Sequence, residues 1–481
     1  MFKFNFDLEE LEDTGDASTE NTIAIDEDVR PGKLGDVPSQ HPFAEIHLEH
    51  LLAALPPLIS YSPLAIPLSC GKTLSLARRD LFDARFQLIS EGASDECAGD
   101  EGAGEGSALQ FLDAPSDLVP FVYEGGLKTW ECALDLVRYL DSTSALDPVQ
   151  PHAESKSKSK KKSRRILEIG CGTAVPSLYL LHKIFAKTET ETETETETDI
   201  HLQDYNASVL ELVTLPNVLL TWYLSPASAS YRTSASSSSE PTSSPPTSPP
   251  APSEPDSDSE LAITPALLAA FQASLRAHNT HLRFFTGSWD AFGRALGLQG
   301  GGDACELGIS DRACELGLPY DLVLTSETVY RAECLPGLVR LMRGACRGVG
   351  GASSGGAASS AGGASSGEGV ASSNAGEASG SEGGAGNGDD PPPYLCLVAA
   401  KVVYFGVGGG VAEFVKCVEE GCGGASEDVG SSAGAGASEG AFEGESKGKG
   451  AGEGGGRLGT VQSVWERTGG VGRRVMRVLW D

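Results

Sequence analysis

A short glycine turn between an apolar strand and an apolar helix constrains this chain more than any other feature. Residues 167–174 read Leu-Glu-Ile-Gly-Cys-Gly-Thr-Ala, after a strand predicted at 165–169 and before a helix predicted at 175–185. Glycines in such a turn let the backbone approach a ligand closely, and the following helix presents free amide groups. The turn is therefore either a structural corner or a ligand loop, and its context has to decide.

Strand and helix patterns alternate along much of the remaining chain. Strands are predicted at 200–203, 218–223, 282–286, 321–325 and 395–399, and helices at 130–140, 266–277, 335–345 and 411–419. Two apolar stretches at 459–466 and 472–479 predict a closing antiparallel hairpin. Such alternation is typical of an α/β fold, a Rossmann-like parallel sheet with helices on both faces.

Composition separates ordered from low-complexity sequence. The 60 Gly, 27 Pro and long Ser-rich and Ala-rich stretches leave much of the chain too little apolar surface to offset the entropy of ordering it. We expect a disordered acidic lead-in at 1–40, an accessory segment at 41–120 and one main domain at 121–481. Four disordered insertions are expected within that domain, at about 188–198, 226–255, 348–393 and 421–456.

Charge and hydropathy limit the classes of partner. A net charge of -31 argues against a protein that coats nucleic acid, so no direct DNA binding is expected. The sequence shows neither a secretory signal pattern nor an apolar run that could cross a bilayer. We expect a monomer of the cytoplasm and nucleus without a metal site. The basic run 156–165 fits a solvated linker as well as it fits a segment for nuclear import or rRNA contact.

An acid at the end of the second predicted strand is the next candidate site residue. Nucleoside sites place an acid there, about 20 residues beyond the glycines, to hold the ribose hydroxyls. Asp204 has roughly that spacing once the Thr-Glu repeat at 188–198 is discounted. It predicts a ribose ligand, with a helix N-cap as the plain alternative.

The glycine turn also distinguishes two ligand classes. A dinucleotide fingerprint requires a third glycine where this chain has Val175. The Glu-x-Gly-x-Gly form instead resembles the first motif of S-adenosylmethionine methyltransferases.

Several blocks, in order, resemble the histidine protein methyltransferase family. They are RRDLFD at 78–83, FVYEGGLKTWEC at 121–132, QDYN at 203–206, PNV at 216–218, LTSETVY at 324–330 and KVVYFGVGGGV at 401–411. The resemblance implies a seven-strand sheet and S-adenosylmethionine-dependent methylation of a protein histidine, in large-subunit ribosomal protein three. It implies cofactor contacts at Thr129, Trp130, Glu131, Cys132, Ala133, Glu168, Gly170, Gly172, Gln203, Asp204, Tyr205, Gly287, Ser288, Trp289 and Ser326.

Two residues are candidates for work on the acceptor. Glu327 or Tyr330 could orient the acceptor imidazole through its other nitrogen, or could simply cap and pack the strand-helix turn.

Two departures from the family pattern bear on the cofactor. Ala174 stands where relatives often have glycine, and Ser288 stands where they usually have an acid.

Three alternative functions remain open at this point. A protein-lysine methyltransferase would use the same fold and is disfavoured by Ser326-Glu327-Thr328 in place of an Asp-containing turn. Val175 and the lack of an identifiable His/Lys/Tyr catalytic set disfavour a nicotinamide oxidoreductase. A non-catalytic scaffold would use the low-complexity insertions to bind partners and need not bind a cofactor.

Overall fold

The computed structural model describes ten parts of the chain. They are residues 43–95, 118–119, 123–143, 163–187, 197–237, 259–297, 317–348, 394–404, 408–421 and 457–481. The predicted lead-in at 1–40 and most of the four predicted insertions lie outside the described residues.

The strands are, in chain order, β1 (Ala44–Ile46), β2 (Leu58–Pro67), β3 (Thr73–Arg79), β4 (Leu118–Val119), β5 (Tyr123–Glu124), β6 (Ser163–Ile169), β7 (Glu197–Asp204), β8 (Ser259–Ala262), β9 (Thr280–Thr286), β10 (Leu322–Ser326), β11 (Leu395–Lys401), β12 (Gly459–Arg467) and β13 (Arg473–Trp480). The helices are α1 (Leu48–Ala53), α2 (Leu81–Asp95), α3 (Glu131–Thr143), α4 (Val175–Phe185), α5 (Ala207–Val209), α6 (Leu215–Tyr223), α7 (Ala229–Ser237), α8 (Pro265–Ala277), α9 (Trp289–Ala295), α10 (Leu335–Arg347) and α11 (Val411–Glu420).

Eight strands form one mixed sheet in the order β1-β9-β7-β6-β10-β11-β13-β12. The five strands from β9 to β11 in that order are parallel. Strand β1 pairs antiparallel with β9, and the hairpin β12-β13 pairs antiparallel with β11 through β13. The predicted α/β class and C-terminal hairpin are confirmed. The sheet has eight strands where seven are predicted, because short β1 extends the β9 edge.

Both faces of this sheet are covered, because neighbouring residues of each central strand point to opposite sides. Ile166 packs in one hydrophobic cluster with helices α3, α4, α6 and α8. Leu167, the next residue, packs in a second cluster with helices α9, α10 and α11. Strands buried on both faces read as continuous apolar runs, which is why the sequence pattern located them well.

A buried asparagine, Asn217, is one of the links between the accessory segment and the main domain. Strands β2 and β3 form a three-stranded antiparallel sheet with β8, which comes from far along the chain. The Arg79 backbone amide donates a hydrogen bond of 2.7 Å to Asn217 Oδ1, and Asn217 Nδ2 donates one of 3.2 Å to the Thr173 carbonyl oxygen. The accessory sheet therefore supports the glycine turn from behind.

Two parts of the sequence pattern fold differently from expectation. The run 218–223, predicted as a strand, lies in helix α6, whose residues from Leu215 to Trp222 are all buried. A short run that is apolar on every side carries no period that separates strand from helix. Residues 226–237, predicted to begin an insertion, form a 3₁₀ turn and helix α7, with Ser228 fully buried.

No single helix among the described residues is long and apolar enough to span a membrane. The helical stretches Ala207–Tyr223 and Pro226–Ala235 meet at a bend of 75°. Together they are long and apolar enough for a membrane span, judged by length and composition alone.

Candidate active site

A cavity that is partly open to solvent lies where the parallel strands end. The carboxyl ends of such strands are the usual ligand edge of an α/β sheet. We call one side the glycine half, lined by Gly125, Gly126, Gly170, Cys171, Gly172, Thr173, Asp204, Tyr205 and Trp289. The other is the carboxylate half, lined by Lys128, Trp130, Ala133, Ser326, Glu327, Thr328, Tyr330 and Tyr404.

The glycine turn has a backbone that only glycine adopts easily. Gly170 and Gly172 have φ angles of 61° and 50°, and Ala174 accepts a left-handed φ of 57° at the N-cap of α4. A Cβ added to Gly170 would lie 2.6 Å from Thr328 Cγ2, closer than real Cβ contacts allow. The turn is therefore pressed against β10, and the two halves of the cavity touch at this point.

Asp204 lies at the end of β7 with its carboxylate held by the backbone. The Gly172 amide donates to Asp204 Oδ2 at 2.9 Å, and the Asn206 amide donates to Oδ1 at 3.2 Å. The residue is 5 % exposed and lines the cavity. A carboxylate fixed in this way beside two glycines can accept hydrogen bonds from hydroxyl groups of a ligand.

Gln203 links the loops around Asp204 and does not line the cavity. Its Oε1 accepts a hydrogen bond of 3.2 Å from the Gly170 amide, and its Nε2 donates one of 2.9 Å to the Gly287 carbonyl oxygen. The Gly287 amide in turn donates to the Tyr205 carbonyl oxygen at 3.2 Å. Gln203 and Gly287 thus position the neighbours that line the cavity, Tyr205 and Trp289.

Glu168, predicted to contact the cofactor, faces the first turn of α4. One of its carboxylate oxygens, Oε2, accepts hydrogen bonds from the Ser177 amide at 2.9 Å and from the Ser177 hydroxyl. The residue is 1 % exposed, and burial raises the pKa of its carboxyl to about 8. Its position fits a structural tie between β6 and the helix, behind the cavity wall.

Of the remaining residues predicted to contact the cofactor, some line the cavity and others hold the surrounding loops in place. Ser288 accepts a hydrogen bond from the Ala291 amide as the N-cap of α9, which explains a serine at this position. Thr129 and Thr173 have their hydroxyl oxygens 3.1 Å apart, which ties the start of α3 to the glycine turn. Trp130, Ala133 and Ser326 line the cavity, whereas Glu131 and Cys132 lie behind it.

Glu327 stands in a strained backbone conformation at the end of β10. Its φ is 59°, which is rare for a residue with a side chain, and its amide donates to the Ala399 carbonyl oxygen at 2.9 Å. Strain of this kind is typical of functional sites. The side chain is 9 % exposed and its carboxylate faces the cavity, while Tyr330 lines the same wall.

Two residues that the sequence interpretation left without a role complete the carboxylate half. Tyr404 donates a hydrogen bond of 2.6 Å to Glu327 Oε2. Lys401 Nζ lies 3.7 Å from Glu327 Oε1, 3.3 Å from Glu131 Oε2 and 4.4 Å from the centre of the Trp130 ring. Lys401 is the last residue of β11 and Tyr404 follows it, and that place at the ligand edge is the signal that could have identified them.

The glycine run at 408–410 packs against the backbone of this half. A Cβ added to Gly409 would lie 2.2 Å from the Tyr330 carbonyl carbon and 2.6 Å from the Arg331 amide nitrogen. The Tyr404 amide donates to the Gly409 carbonyl oxygen at 3.4 Å. Gly409 therefore allows the segment that carries Tyr404 to close directly on the turn that carries Tyr330.

One group of potential metal ligands lies outside the cavity. Glu197 and Asp199 on β7 and His281 on β9 have ligand atoms within 4.8 Å of one another. The His281 Nε2 atom lies 3.0 Å from Glu197 Oε1, so an ordinary ion pair accounts for the arrangement. Absence of a metal site stays a prediction.

Curated proteins similar to this chain share one name. Histidine protein methyltransferase 1 of Schizosaccharomyces pombe is 26 % identical over 367 residues, which are 76 % of this chain and 74 % of the relative. That of Saccharomyces cerevisiae is 29 % identical over 265 residues, 54 % of this chain and 57 % of the relative. A homologue from Dictyostelium discoideum is 33 % identical over 105 residues, 22 % of this chain and 25 % of the relative. These similarities support membership of the histidine protein methyltransferase family.

This assignment rests on the relatives, since no family model matches the chain. The predicted resemblance to this family is confirmed, and the names of the relatives support the prediction of an enzyme of the methyltransferase class. A methyltransferase requires a methyl donor. Residues from the sequence blocks that resemble this family line the cavity. The chain spans little more than half of the Saccharomyces cerevisiae protein, so the acceptor and partners of this chain are treated below as proposals.

Proposed function

We propose that this chain is an S-adenosylmethionine-dependent protein-histidine N-methyltransferase. The observation that carries the proposal is the joining of two sites in one cavity: the glycine half with Asp204, and the carboxylate half with Glu327 held by Tyr404. The names of the similar proteins point to the same reaction.

The glycine half has the donor groups that this cofactor requires. Asp204 would hold the ribose hydroxyls, since its carboxylate lines the cavity and is fixed by two amides. The Gly170–Gly172 turn allows the cofactor's amino-acid end to approach the backbone, and Trp289 and Tyr205 offer ring faces for the adenine. Once bound, S-adenosylmethionine supplies an electrophilic methyl group for the acceptor nitrogen.

The carboxylate half suits a neutral imidazole. A neutral histidine already has one unprotonated ring nitrogen, so it needs orientation more than activation. Glu327 would accept a hydrogen bond from the ring N–H, which fixes the tautomer and leaves the other nitrogen free. After transfer the same carboxylate stabilises the positive ring and holds the proton that must leave. Trp130 and Tyr330 would flank the ring and exclude water.

Lys401 argues against the related lysine methyltransferase. A lysine acceptor would bring its ammonium group to a carboxylate and aromatic ring, which together bind cations well. Here the resident Lys401 ammonium already occupies that position, between Glu327, Glu131 and the Trp130 ring. An uncharged acceptor therefore fits the site better than a second ammonium group.

The strand order supports the seven-strand methyltransferase layout as part of this proposal. Seven of the eight strands follow one another as β9-β7-β6-β10-β11-β13-β12, with β13 antiparallel to its neighbours. Strand β1 would then be an addition at the β9 edge.

The proposed protein substrate comes from the resemblance seen in the sequence. The resemblance seen in the sequence implies a histidine of large-subunit ribosomal protein three, methylated by a monomeric enzyme in the cytoplasm and nucleus, before or during ribosome assembly. The acidic chain suits a basic ribosomal protein as its partner.

The proposal is tested with the purified full-length chain, S-adenosylmethionine carrying a labelled methyl group, and free ribosomal protein three. Mass spectrometry should place one methyl group on a histidine and none on lysine, and a histidine-to-alanine substrate should stay unlabelled. Label on lysine would establish the alternative reaction. Absence of cofactor binding by calorimetry would favour a scaffold.

A further inference from the structure

We infer that Tyr404 is a positioning residue, which acts on the reaction by fixing the Glu327 carboxylate. The inference deepens the proposed function and rests on it, because Glu327 is the group proposed to orient the acceptor ring. Tyr404 carries no assigned role in the sequence blocks, and the structure alone brings it to Glu327.

The direction of the Tyr404 hydroxyl proton follows from its two partners. The Lys401 backbone amide donates a hydrogen bond of 3.2 Å to the Tyr404 oxygen. A tyrosine hydroxyl has one proton, so with its oxygen serving as acceptor for Lys401 the proton is available to Glu327 Oε2, 2.6 Å away. The chain of donors therefore runs one way, from the β11 backbone through Tyr404 to the carboxylate.

Tyr404 is suited to remain a donor across the working pH range. Burial, with the nearby Glu327 charge as a further cause, raises the pKa of its phenol well above the usual value. A neutral phenol donates a hydrogen bond to a carboxylate, and such charge-assisted bonds are shorter and stronger than bonds between neutral groups.

Two further contacts of Glu327 reach its second oxygen. Glu327 Oε1 accepts a long hydrogen bond of 3.4 Å from the Cys132 amide and lies 3.7 Å from Lys401 Nζ. Both are weaker restraints than the Tyr404 bond at 2.6 Å. Tyr404 is thus the contact that sets the plane of the carboxylate, and with it the direction in which Glu327 can accept from a substrate ring.

The position of Tyr404 is itself held from two sides. Its ring meets the Tyr330 ring edge-on, with the centroids 6.3 Å apart, and Gly409 lets its segment lie against the Tyr330 backbone. Removing only the hydroxyl group leaves these packing contacts in place. Tyr404→Phe therefore separates the hydrogen bond from the packing.

Tyr179 provides a matched control on the same protein. It is also a buried tyrosine whose hydroxyl bonds a carboxylate, Asp141 Oδ1 at 3.0 Å, but it lies on α4 outside the cavity lining. Tyr179→Phe removes the same chemical group at a distance from Glu327.

The test is a double-mutant cycle on the full chain with labelled S-adenosylmethionine and ribosomal protein three, read as single-turnover methylation rates. Tyr404→Phe should lower the rate about 10- to 100-fold, the effect of losing a hydrogen bond to a charged group, while cofactor affinity changes less than about twofold. Tyr179→Phe should change the rate less than about twofold. In a Glu327→Gln background, Tyr404→Phe should have little further effect, because the charged carboxylate that Tyr404 would position is gone.

Each outcome decides between the role and the alternatives. An active wild type in which Tyr404→Phe behaves like Tyr179→Phe overturns the positioning role alone. Equal effects of Tyr404→Phe with and without Glu327 also overturn it, because they show an action independent of that carboxylate. A wild type that binds the cofactor but methylates no histidine overturns the proposed function, and the role of Tyr404 with it.

Discussion

The two halves of the cavity are built in different ways. In the glycine half, the backbone makes the site: left-handed glycines, and amides that fix Asp204, all within or next to the turn after β6. In the carboxylate half, a backbone amide of α3, the Lys401 side chain at the end of β11 and the Tyr404 side chain after it meet at Glu327. A local backbone motif can bind a cofactor common to many proteins, whereas a network from distant elements can be changed to select the acceptor.

The largest effect is expected in the carboxylate half. Glu327→Gln keeps the shape of the side chain but removes the charge that would orient the acceptor ring, so the methyl-transfer rate should fall about 10- to 1000-fold. Cofactor affinity should hardly change, and single-turnover rates beside calorimetry measure both. A variant with normal turnover and a lower melting temperature would make Glu327 a structural cap and break the division between the halves.

In the glycine half we expect the opposite result, a large change in cofactor affinity and a smaller change in rate. Asp204→Ala removes a carboxylate proposed to hold the ribose, so cofactor binding should weaken by about 1.5 to 3 kcal/mol, the range for a hydrogen bond to a charged group. Calorimetry measures the affinity, and the rate at saturating cofactor should stay closer to normal than for Glu327→Gln. Unchanged affinity in a folded variant would remove Asp204 from the site.

A smaller effect is expected at Glu168, which ties β6 to α4 beside the glycine turn. The pKa of Glu168 is raised by burial from 4.5 to about 8, so the folded chain holds this proton more tightly than the unfolded chain does. The stabilising contribution is complete below about pH 4.5 and is lost as the pH rises through about 8. Glu168→Gln cannot titrate, so between pH 5 and 8.5 its melting temperature should fall less than that of wild type, by about 7 to 15 °C.

Thermal melts across that pH range provide the measurement. Parallel curves for the two proteins would show that Glu168 is ionised in the folded chain.

The smallest effect should come from sequence outside both halves. Deleting 238–255 should leave the melting temperature within about 2 °C and cofactor affinity unchanged, because this Ser- and Pro-rich stretch lacks a core-forming pattern. Deleting 226–255 should cost about 5 to 10 °C, since Ser228 is buried and Tyr231 packs on Trp222. Equal melting temperatures would mean that α7 contributes nothing to the core.

The sequence located regular elements well and the borders of irregular ones poorly. Helix α4 begins and ends where the apolar pattern places it, because the glycine turn marks its start and mostly apolar residues fill its length. Helix α6 was predicted as a strand because its sequence is apolar on every side. Strand β8 was missed, since four residues between low-complexity sequence and a helix carry no period of their own.

By itself, the sequence determined the α/β class, the glycine turn and the place of Asp204, because these depend on neighbours close along the chain. It also placed Glu327 at the ligand edge. Only the tertiary structure decided that Glu168 faces α4, that Ser288 caps α9, and that Tyr404 and Lys401 reach Glu327 from 77 and 74 residues away. Side-chain contacts across such distances depend on how strands β10 and β11 lie side by side, and no periodicity along the chain encodes the direction in which a hydroxyl group points.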